Sequence, residues 1–202
     1  MSLREEQKNL TRNRVLDAAV AVFTEKSVAN ATMDEIAKAA GVTRVTVYAH
    51  FPGKDDIVFA LAGRVYDAMA EVHAELGALP RWTRTSIRTW LDSAAERWRA
   101  MAPKLWVVRA MGAPRDLSGS RDRYREMHEK YVDFLTADAG RWRDVPPEEA
   151  RQRALMAVLQ TESVLSAWIV ARLPMSTENP LDLLADTLCH VLGPAVERER
   201  RT

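Results

Sequence analysis

The four histidines and the single cysteine are the side chains that could support metal or nucleophilic chemistry. The histidines are scattered along the chain, at His50, His73, His128 and His190. His128 and Glu129 begin a run similar to that of zinc proteases, but Val132 stands where the second histidine ligand must be. The glycine-rich loops that bind phosphates and the serine elbow of hydrolases are also missing from the sequence. We therefore expect no enzyme, no metal site and no cofactor.

Residues 43–51, TRVTVYAHF, are the segment whose side chains could recognise another molecule. At helical spacing Val47 turns inward, toward Ile36 and Ala37. The polar or small side chains that remain on the outer face are Arg44, Val45, Thr46, Tyr48 and His50. Phe51 is expected in the core, and Tyr48 is expected outside it.

Capping signals define the helices that hold this segment. Thr32 and Glu35 have the spacing of a capping box at the start of a short helix over 33–40. Gly41 can end that helix in the left-handed conformation, and Thr43 can cap the next one, which runs through His50. An amphipathic helix over 12–26 precedes both. The three helices predict a helix-turn-helix, which binds DNA with its second helix in the major groove.

The rest of the chain also has helical periodicity, so the predicted fold class is all-α with about nine helices. Beyond the first three, we expect helices at about 54–76, 84–101, 103–111, 120–139, 147–173 and 180–196. The sequence contains only 8 glycines and 9 prolines, which favours helices with short joints over a sheet built on turns.

Charge and composition say little about the partner. The net charge is +1, and residues 1–54 carry eight Lys or Arg against six Asp or Glu, or +2.

Cys189 is the single cysteine, so an internal disulfide is excluded and a small core side chain is expected. No apolar run is long enough to span a membrane, and the first residues lack a secretion signal. A cytoplasmic protein is expected.

The first 58 residues resemble the DNA-binding domain of the TetR (tetracycline-repressor) family of bacterial transcriptional regulators. The resemblance rests on VLDAAVAVF, ATMDEIAKAAGVTRVTVYAHF and PGKDDIV, in that family's order and spacing. It implies a DNA-binding domain over 1–54 and an effector-binding and dimerisation domain over 55–202. Ser27 and Val28 stand where the family usually has glycine and an aromatic residue, so the first helix is expected to end differently.

The resemblance also implies roles for individual residues. The positions that contact DNA phosphates in relatives are Thr43, Thr46, Tyr48, His50 and Lys54. Arg44 and Val45 occupy base-reading positions, where arginine suits the two acceptors of guanine and valine can meet a thymine methyl. Arg4, Lys8, Arg12 and Arg14 could follow the DNA backbone or a minor groove, or they could form a solvated tail.

A small-molecule pocket is predicted in the carboxy-terminal domain from its tryptophans and methionines, and we expect an apolar or aromatic effector. Its candidate lining residues are Trp90, Trp98, Met101, Trp106, Met111, His128, Tyr131, Met156 and Trp168. Taken one at a time, each of these side chains fits an ordinary core position as well.

The last two long helices carry more apolar residues than one buried face needs, which predicts an interface with a second copy. The interface residues expected are Leu155, Val158, Leu159, Leu165, Ile169, Leu184, Leu188 and Val191. A two-fold dimer implies a palindromic operator. The predicted function is a ligand-responsive regulator, most simply a repressor released by its effector. The alternative is a DNA-binding regulator or architectural protein without an effector, controlled by a protein partner.

Overall fold

A computed structural model describes residues 2–110, 117–175 and 179–196, and within these ranges the chain forms helices and no strand. The eight helices are α1 (Leu3–Asn30), α2 (Met33–Ala40), α3 (Arg44–His50), α4 (Lys54–Ala78), α5 (Arg84–Ala110), α6 (Leu117–Thr136), α7 (Pro147–Leu165) and α8 (Pro180–Leu192). A π-helical turn, Ser166–Val170, continues α7, and a 3-10 turn, Gly193–Ala195, follows α8. The all-α class is confirmed, and none of the described helices is long and apolar enough to cross a membrane.

The count differs from nine because two predicted helices are one. Pro103 was expected to start a new helix, but α5 runs through it without interruption. A proline inside a helix removes one backbone hydrogen bond and strains the preceding turn. Pro103 is exposed on the surface of α5, so its ring displaces no core side chain.

The first helix is longer than predicted and contains a break. It begins at Leu3, where Ser2 and Glu5 form a capping box that the sequence reading overlooked. At Ser27 the backbone leaves the helix with φ 67° and ψ 159°, and one further turn follows. This conformation is essentially restricted to glycine. Ser27, one of the two residues at which the sequence departs from the family pattern, is thus the residue at which the helix breaks.

The carboxy-terminal helices also end at different residues from those predicted. Regular helix in α7 stops at Leu165, because the next residues wind into the wider π turn. α6 ends at Thr136, three residues before the predicted end. α8 ends at Leu192, before the predicted end at 196, and Gly193 and Pro194 follow it in the 3-10 turn.

The described chain divides into two compact units. The first comprises Met1–Val65 and Met101–Leu117, and the second comprises Tyr66–Ala100 and Ser118–Thr202. The units do not divide at residue 54, because Ile57, Val58 and Leu61 of α4 are buried in the core of the first unit. α4 therefore contributes residues to both units.

The core of the first unit fixes the helix-turn-helix. Leu16, Ala19 and Phe23 of α1 are buried together with Ile36 of α2 and Val47 of α3. The inward position expected for Val47 and the core position expected for Phe51 are both confirmed. Because each short helix has buried side chains in this core, its outer face is held in a fixed orientation.

The core of the second unit is built largely from aromatic side chains whose polar atoms are satisfied. The indole nitrogens of Trp82, Trp90 and Trp142 donate to backbone carbonyl oxygens at 2.8–2.9 Å. Gly77 of α4 allows a close approach to α6, because a Cβ there would lie 2.3 Å from the carbonyl oxygen of Phe134. The two helices pack backbone against backbone at this point.

Candidate DNA-binding surface

Hydrogen bonds and caps fix the start of α2 and both ends of the turn between α2 and α3. Thr32 accepts from the amide of Glu35 and the Glu35 carboxylate accepts from the amide of Thr32, so the predicted capping box is present. Gly41 adopts the left-handed conformation at the end of α2, with φ 62°. Thr43 caps α3 through the amide of Thr46 at 3.1 Å. These contacts orient α3 without using its outer face.

Arg14 of α1 adds a constraint on the same turn that the sequence reading left open. Its guanidinium donates to the carbonyl oxygen of Ala40 at 2.8 Å and to that of Gly41 at 3.1 Å. Carbonyls at a helix end lack intrahelical partners, and a cation there also meets the negative end of the helix dipole. Arg14 therefore supports the turn, in contrast to the solvated tail or DNA contact considered for it.

The outer face of α3 presents the side chains expected to meet DNA. Val45 is 78% exposed and Tyr48 is 41% exposed. Arg44 is also exposed, while Thr46 and His50 are half-buried. Single exposed apolar side chains are common on protein surfaces, so the exposure of Val45 shows that its side chain is accessible to a partner and no more.

Asp34 holds the Arg44 side chain in place, and no motif in the sequence pointed to it. The guanidinium lies 3.1 Å from an Asp34 carboxylate oxygen and 5.4 Å from the centre of the Tyr48 ring. The hydrogen bond with Tyr48 and the charge of Asp34 raise the pKa of Arg44. Asp34 and Arg44 are ten residues apart on different helices, so helical spacing could not have revealed the pair.

Lys54, which is predicted to contact a DNA phosphate, is bound by backbone carbonyls of the chain itself. Its Nζ atom donates to the carbonyl oxygens of Val28, Ala29 and Ala31, at 2.7, 2.9 and 2.7 Å. An ammonium group has three hydrogens to donate, and all three are used by these carbonyls. Lys54 therefore caps the end of α1, where the break at Ser27 leaves carbonyls without helical partners.

The predicted pocket residues of the second unit divide into buried and exposed groups. Trp90, Trp98 and Tyr131 are buried, with indole or hydroxyl groups bonded to Val72, Ser166 and Tyr66 respectively. Met156 is 58% exposed, and the half-buried Trp168 ring lies 5.1 Å from the Arg99 guanidinium carbon. Burial and satisfied polar atoms are typical of core side chains, and the role of these rings in an effector pocket stays a prediction.

Two further predicted pocket residues lie in the first compact unit, and a third is not described. Met101 and Trp106 belong to the first compact unit, where Met101 is buried and Trp106 is 52% exposed. Met111 lies outside the described residues. Distance along the sequence could not separate these side chains from the tryptophans of the second unit, because α5 contributes to both units.

A polar cluster lies beside the buried tryptophans. His128 Nε2 lies 3.0 Å from a Glu162 carboxylate oxygen, and His128 Nδ1 lies 2.8 Å from the carbonyl oxygen of Tyr124. Burial lowers the pKa of His128, but the hydrogen bonds and the charge of Glu162 outweigh it and leave the pKa raised. Both ring nitrogens face acceptors, which is the arrangement of an imidazolium.

His73 is the neutral counterpart in this cluster. Its ring stacks on Tyr131 with centroids 4.7 Å apart, and its Nδ1 lies 2.9 Å from the carbonyl oxygen of Met69. Burial lowers the pKa of His73, and its Nε2 has no hydrogen-bond partner among the described residues. The sequence reading noted His73 only as one of four scattered histidines.

A surface groove of about 510 Å³ opens next to this cluster, between α6 and α7. Its lining combines apolar and charged side chains, and includes His128, Val132, Arg151, Leu155 and Leu159. His128 thus connects the groove to the buried cluster. Of the predicted pocket residues, His128 is the one that lines this groove.

The predicted interface residues of α7 and α8 also divide. Four of them, Val158, Leu165, Leu184 and Leu188, are buried within the single chain. Their assignment to a surface is corrected, because α7 and α8 pack these side chains inside the protomer. Leu155 and Leu159 are exposed, and Ile169 and Val191 are half-buried. Leu183, which was not predicted, is 58% exposed.

Comparison with known proteins finds a family match in the amino-terminal part of the chain. The model of the bacterial regulatory proteins of the tetR family matches residues 15–61, which include α2, α3 and the start of α4. The amino-terminal segment of the chain is TetR-like. The matched segment contains the capped turn and the exposed face of α3, so the family match rests on the same residues as the geometry.

Two curated TetR-family relatives come from Pseudomonas putida, the HTH-type transcriptional regulator SrpR and the uncharacterized HTH-type transcriptional regulator TtgW. Each is 44% identical to this chain over 73 residues, or 36% of the chain. The match covers 34% of SrpR and 54% of TtgW, so the chain spans between a third and about a half of these relatives.

Similarity to solved TetR-family structures extends over most of the chain. The structure of the SmeT–triclosan complex superposes with a TM-score of 0.67 and covers 90% of each chain, at 23% identity. An identity this low establishes a shared fold and does not identify a ligand. The carboxy-terminal helices therefore have a TetR-like arrangement despite a very different sequence.

Proposed function

We propose that this chain is a transcriptional regulator of the TetR family that binds a palindromic operator as a homodimer and releases it when a small apolar or aromatic effector binds. The observation that carries the proposal is the outer face of α3. Arg44, Val45 and Tyr48 are exposed there on a helix that is capped at Thr43 and anchored by the buried Val47. A rigid helix with an unused, chemically mixed face suits the major groove.

In the proposed complex, Arg44 and Val45 read bases, whereas phosphates are bound by Thr43, Thr46, Tyr48 and His50. The hydroxyl groups of Thr43 and Thr46 lie 2.8 Å apart at the start of α3, so both can approach one strand of the DNA backbone. Arg44 would exchange its exposed pair with Asp34 for two acceptors on guanine. An exposed pair contributes about 0–1 kcal/mol, so this exchange is cheap.

Dimerisation is proposed through the exposed apolar side chains of α7 and α8. Leu155, Leu159 and Leu183 remain in contact with solvent in the single chain. A second copy would remove them from water, and the two-fold symmetry of such a dimer would present two α3 helices to successive major grooves, about 34 Å apart.

The effector site is proposed at the α6 side of the groove between α6 and α7, where Tyr124, His128 and Val132 line it. The α7 side is left out because its Leu155 and Leu159 belong to the proposed dimer interface. SmeT has been solved with triclosan, a small aromatic molecule, on a similar fold. An effector that binds better to one conformation of the protein shifts the population toward it and thereby weakens operator binding. By linkage, operator DNA must weaken effector binding by the same factor.

Selection of binding sites from a random duplex library, at a stated salt concentration, tests the DNA-binding part of the proposal. We expect an enriched palindrome with wild-type protein. With Arg44→Ala, we expect a loss of about 1–3 kcal/mol of discrimination at one position of each half-site. Glu25→Ala, an exposed change on α1, is the control. Strong binding without any enriched sequence would contradict a sequence-specific regulator.

One observation favours the second candidate, a DNA-binding regulator controlled by a protein partner and not by an effector. Trp90, Trp98 and Tyr131 fill the core of the second unit with satisfied polar atoms, where the sequence predicted the wall of a cavity. The two candidate functions are distinguished by measuring release of the operator in the presence of a panel of apolar aromatic compounds, including triclosan. Release by none of them, or only by highly polar metabolites, would favour the second candidate.

A further inference from the structure

The first turns of α1 lie beside the end of α3 and form a polar groove with it. α1 begins at Leu3, so Lys8, Asn9 and Arg12 belong to a regular helix and not to a tail. Together with Glu5, Ala49 and His50 they line a groove of about 510 Å³. Ala49 is small, so it leaves access to the His50 ring from solvent.

The charged groups of this groove are held in defined positions. The Arg12 guanidinium carbon lies 5.0 Å from the centre of the Phe51 ring, which is itself buried in the core. Glu5 is the acidic group of the groove, and its carboxylate accepts a hydrogen bond of 2.7 Å from the backbone nitrogen of Ser2. Lys8 and Arg12 thus lie near His50, whereas the Glu5 carboxylate is bound to the backbone at the start of α1.

We propose that Lys8 and Arg12 of α1 bind one backbone phosphate of the operator jointly with His50 of α3, and that His50 takes up a proton when this phosphate binds. The inference rests on the proposed function, since it needs operator DNA. Two cations beside a histidine repel each other in the free protein, and an anion with several acceptor oxygens can bind all three side chains. Phosphate is the anion that DNA presents at the flank of a recognition helix.

The free protein has the electrostatics that such proton uptake requires. Burial, followed by the charges of Lys8 and Arg12, lowers the pKa of His50 below its ordinary value of 6.5. His50 is therefore neutral near pH 7. The negative charge of a bound phosphate opposes both cations and raises the pKa of the ring. Glu5, Lys8 and Arg12 are the charged groups that line the groove with His50.

The sign of the pH dependence of operator binding follows from the difference between the pKa of His50 in the free protein and its pKa in the complex. If the pKa of His50 is higher in the complex than in the free protein, the complex binds more protons. Operator affinity then rises as the pH falls between the two pKa values, by up to about tenfold per pH unit for each histidine. The dimer has two such sites.

The test measures operator binding by fluorescence anisotropy at several salt concentrations, at pH 6 and pH 8. Lys8→Gln and Arg12→Gln are compared with Arg4→Gln, which removes an exposed cation of α1 outside this groove. We expect Lys8→Gln and Arg12→Gln each to weaken all duplexes and to lower the salt slope by about one per protomer. Arg4→Gln should keep the wild-type slope. Wild-type slopes in both groove variants would overturn the proposal.

His50→Gln tests the proton, because glutamine keeps a hydrogen-bond donor but does not titrate. We expect this variant to lose most of the pH dependence of operator affinity, and unchanged pH dependence would overturn the coupling. In the free protein, Lys8→Gln should raise the NMR titration midpoint of His50, and an unmoved midpoint would contradict the geometry without any DNA. A wild-type chain that bound no duplex would overturn the proposed function itself, whatever the titration showed.

Discussion

Lys54 shows how one side chain can have a role that its position in a motif does not reveal. Its place at the start of α4 implied a phosphate contact, but its ammonium group binds three carbonyl oxygens at the end of α1. These carbonyls are available because the backbone leaves the helix at Ser27. A sequence motif records which residue occurs near the DNA, whereas the hydrogen bonds of the folded chain decide what that residue binds.

Lys54→Met is expected to destabilise the fold. Methionine keeps the length of the side chain but cannot donate to the carbonyl oxygens of Val28, Ala29 and Ala31. Hydrogen bonds to a charged group contribute about 1.5–3 kcal/mol, so we expect the free energy of unfolding to fall by about 2 kcal/mol or more. Urea denaturation measures it. Lys38→Met, an exposed lysine of α2, is the control. Unchanged stability in Lys54→Met would contradict the capping role.

The pair of His128 and Glu162 makes the stability of the chain depend on pH. The folded-state pKa of His128 is raised above its ordinary value of 6.5. The pair therefore stabilises the fold fully below about pH 6.5, and this contribution is lost as the pH rises through the folded-state pKa. The partner carboxylate lies 3.0 Å from the ring nitrogen in a mostly buried setting, so its charge is weakly screened.

Glu162→Gln tests this pair. We expect the variant to be about 1–3 kcal/mol less stable than wild type at pH 6 and closer to wild type at pH 9, because His128 is neutral there. Denaturation curves at both pH values give the comparison. Glu129→Gln is the control, because it removes an exposed carboxylate of α6 that lies 3.8 Å from Arg125 and does not contact His128 through an ion pair. If the loss of stability in Glu162→Gln relative to wild type were larger at pH 9 than at pH 6, it would contradict a pair that depends on protonated His128.

At the scale of elements, local signals predicted the helix-turn-helix well and the longer helices less well. Thr32, Glu35, Gly41 and Thr43 act on their own turns, so their spacing identified α2 and α3 to the residue. Pro103 was misread because an exposed proline can be accommodated inside a long helix. Whether an apolar residue lies in the core, in a pocket or in an interface depends on which side of its helix packs against the other helices. Periodicity identifies an apolar side but does not show what packs against it.

Ser27→Gly is expected to stabilise the first helix and the turn that follows it. Ser27 has φ 67° and ψ 159°, where a side chain is strained by about 1–3 kcal/mol and glycine is not. Glycine also loses more freedom on folding, so we expect a net gain of about 1 kcal/mol in the free energy of unfolding. Thermal or urea denaturation measures it. Glu25→Gly, at a helical position, should instead destabilise by about 1 kcal/mol. A loss of stability in Ser27→Gly would contradict the strain.

At the scale of the whole molecule, the proposed regulator needs connections that no single motif provides. α4 contributes residues to both compact units, and α5 does so as well. In the proposed function, release of an operator by an effector requires coupling between the two units. The family match covers only residues 15–61. The sequence predicted the DNA-binding part from its motif, and the proposed effector-binding part from the resemblance and from its tryptophans and methionines.

Assembly into a dimer is the property of the whole molecule that a single substitution tests most directly. Leu159 and Leu183 are exposed on α7 and α8, whereas Leu184 and Leu188 are buried inside the protomer. Leu183→Glu therefore changes the surface without opening the core. A carboxylate buried in an apolar interface costs about 2 kcal/mol or more, so we expect the dimer dissociation constant to rise by more than about 30-fold.

Sedimentation velocity over a range of protein concentrations measures this change. Leu3→Glu is the control, because Leu3 is a still more exposed leucine on α1, at 83% against 58% for Leu183, and lies far along the chain from α7 and α8. A dimer presents two α3 helices to one palindrome, so weaker dimerisation must also weaken binding to the palindrome more than binding to an isolated half-site. If Leu183→Glu and Leu159→Glu both left a tight dimer, the interface would have to lie on another surface. If the dimer were lost but palindrome affinity stayed at the wild-type value, each protomer would bind its half-site independently, and the two-fold mode of operator recognition would be wrong.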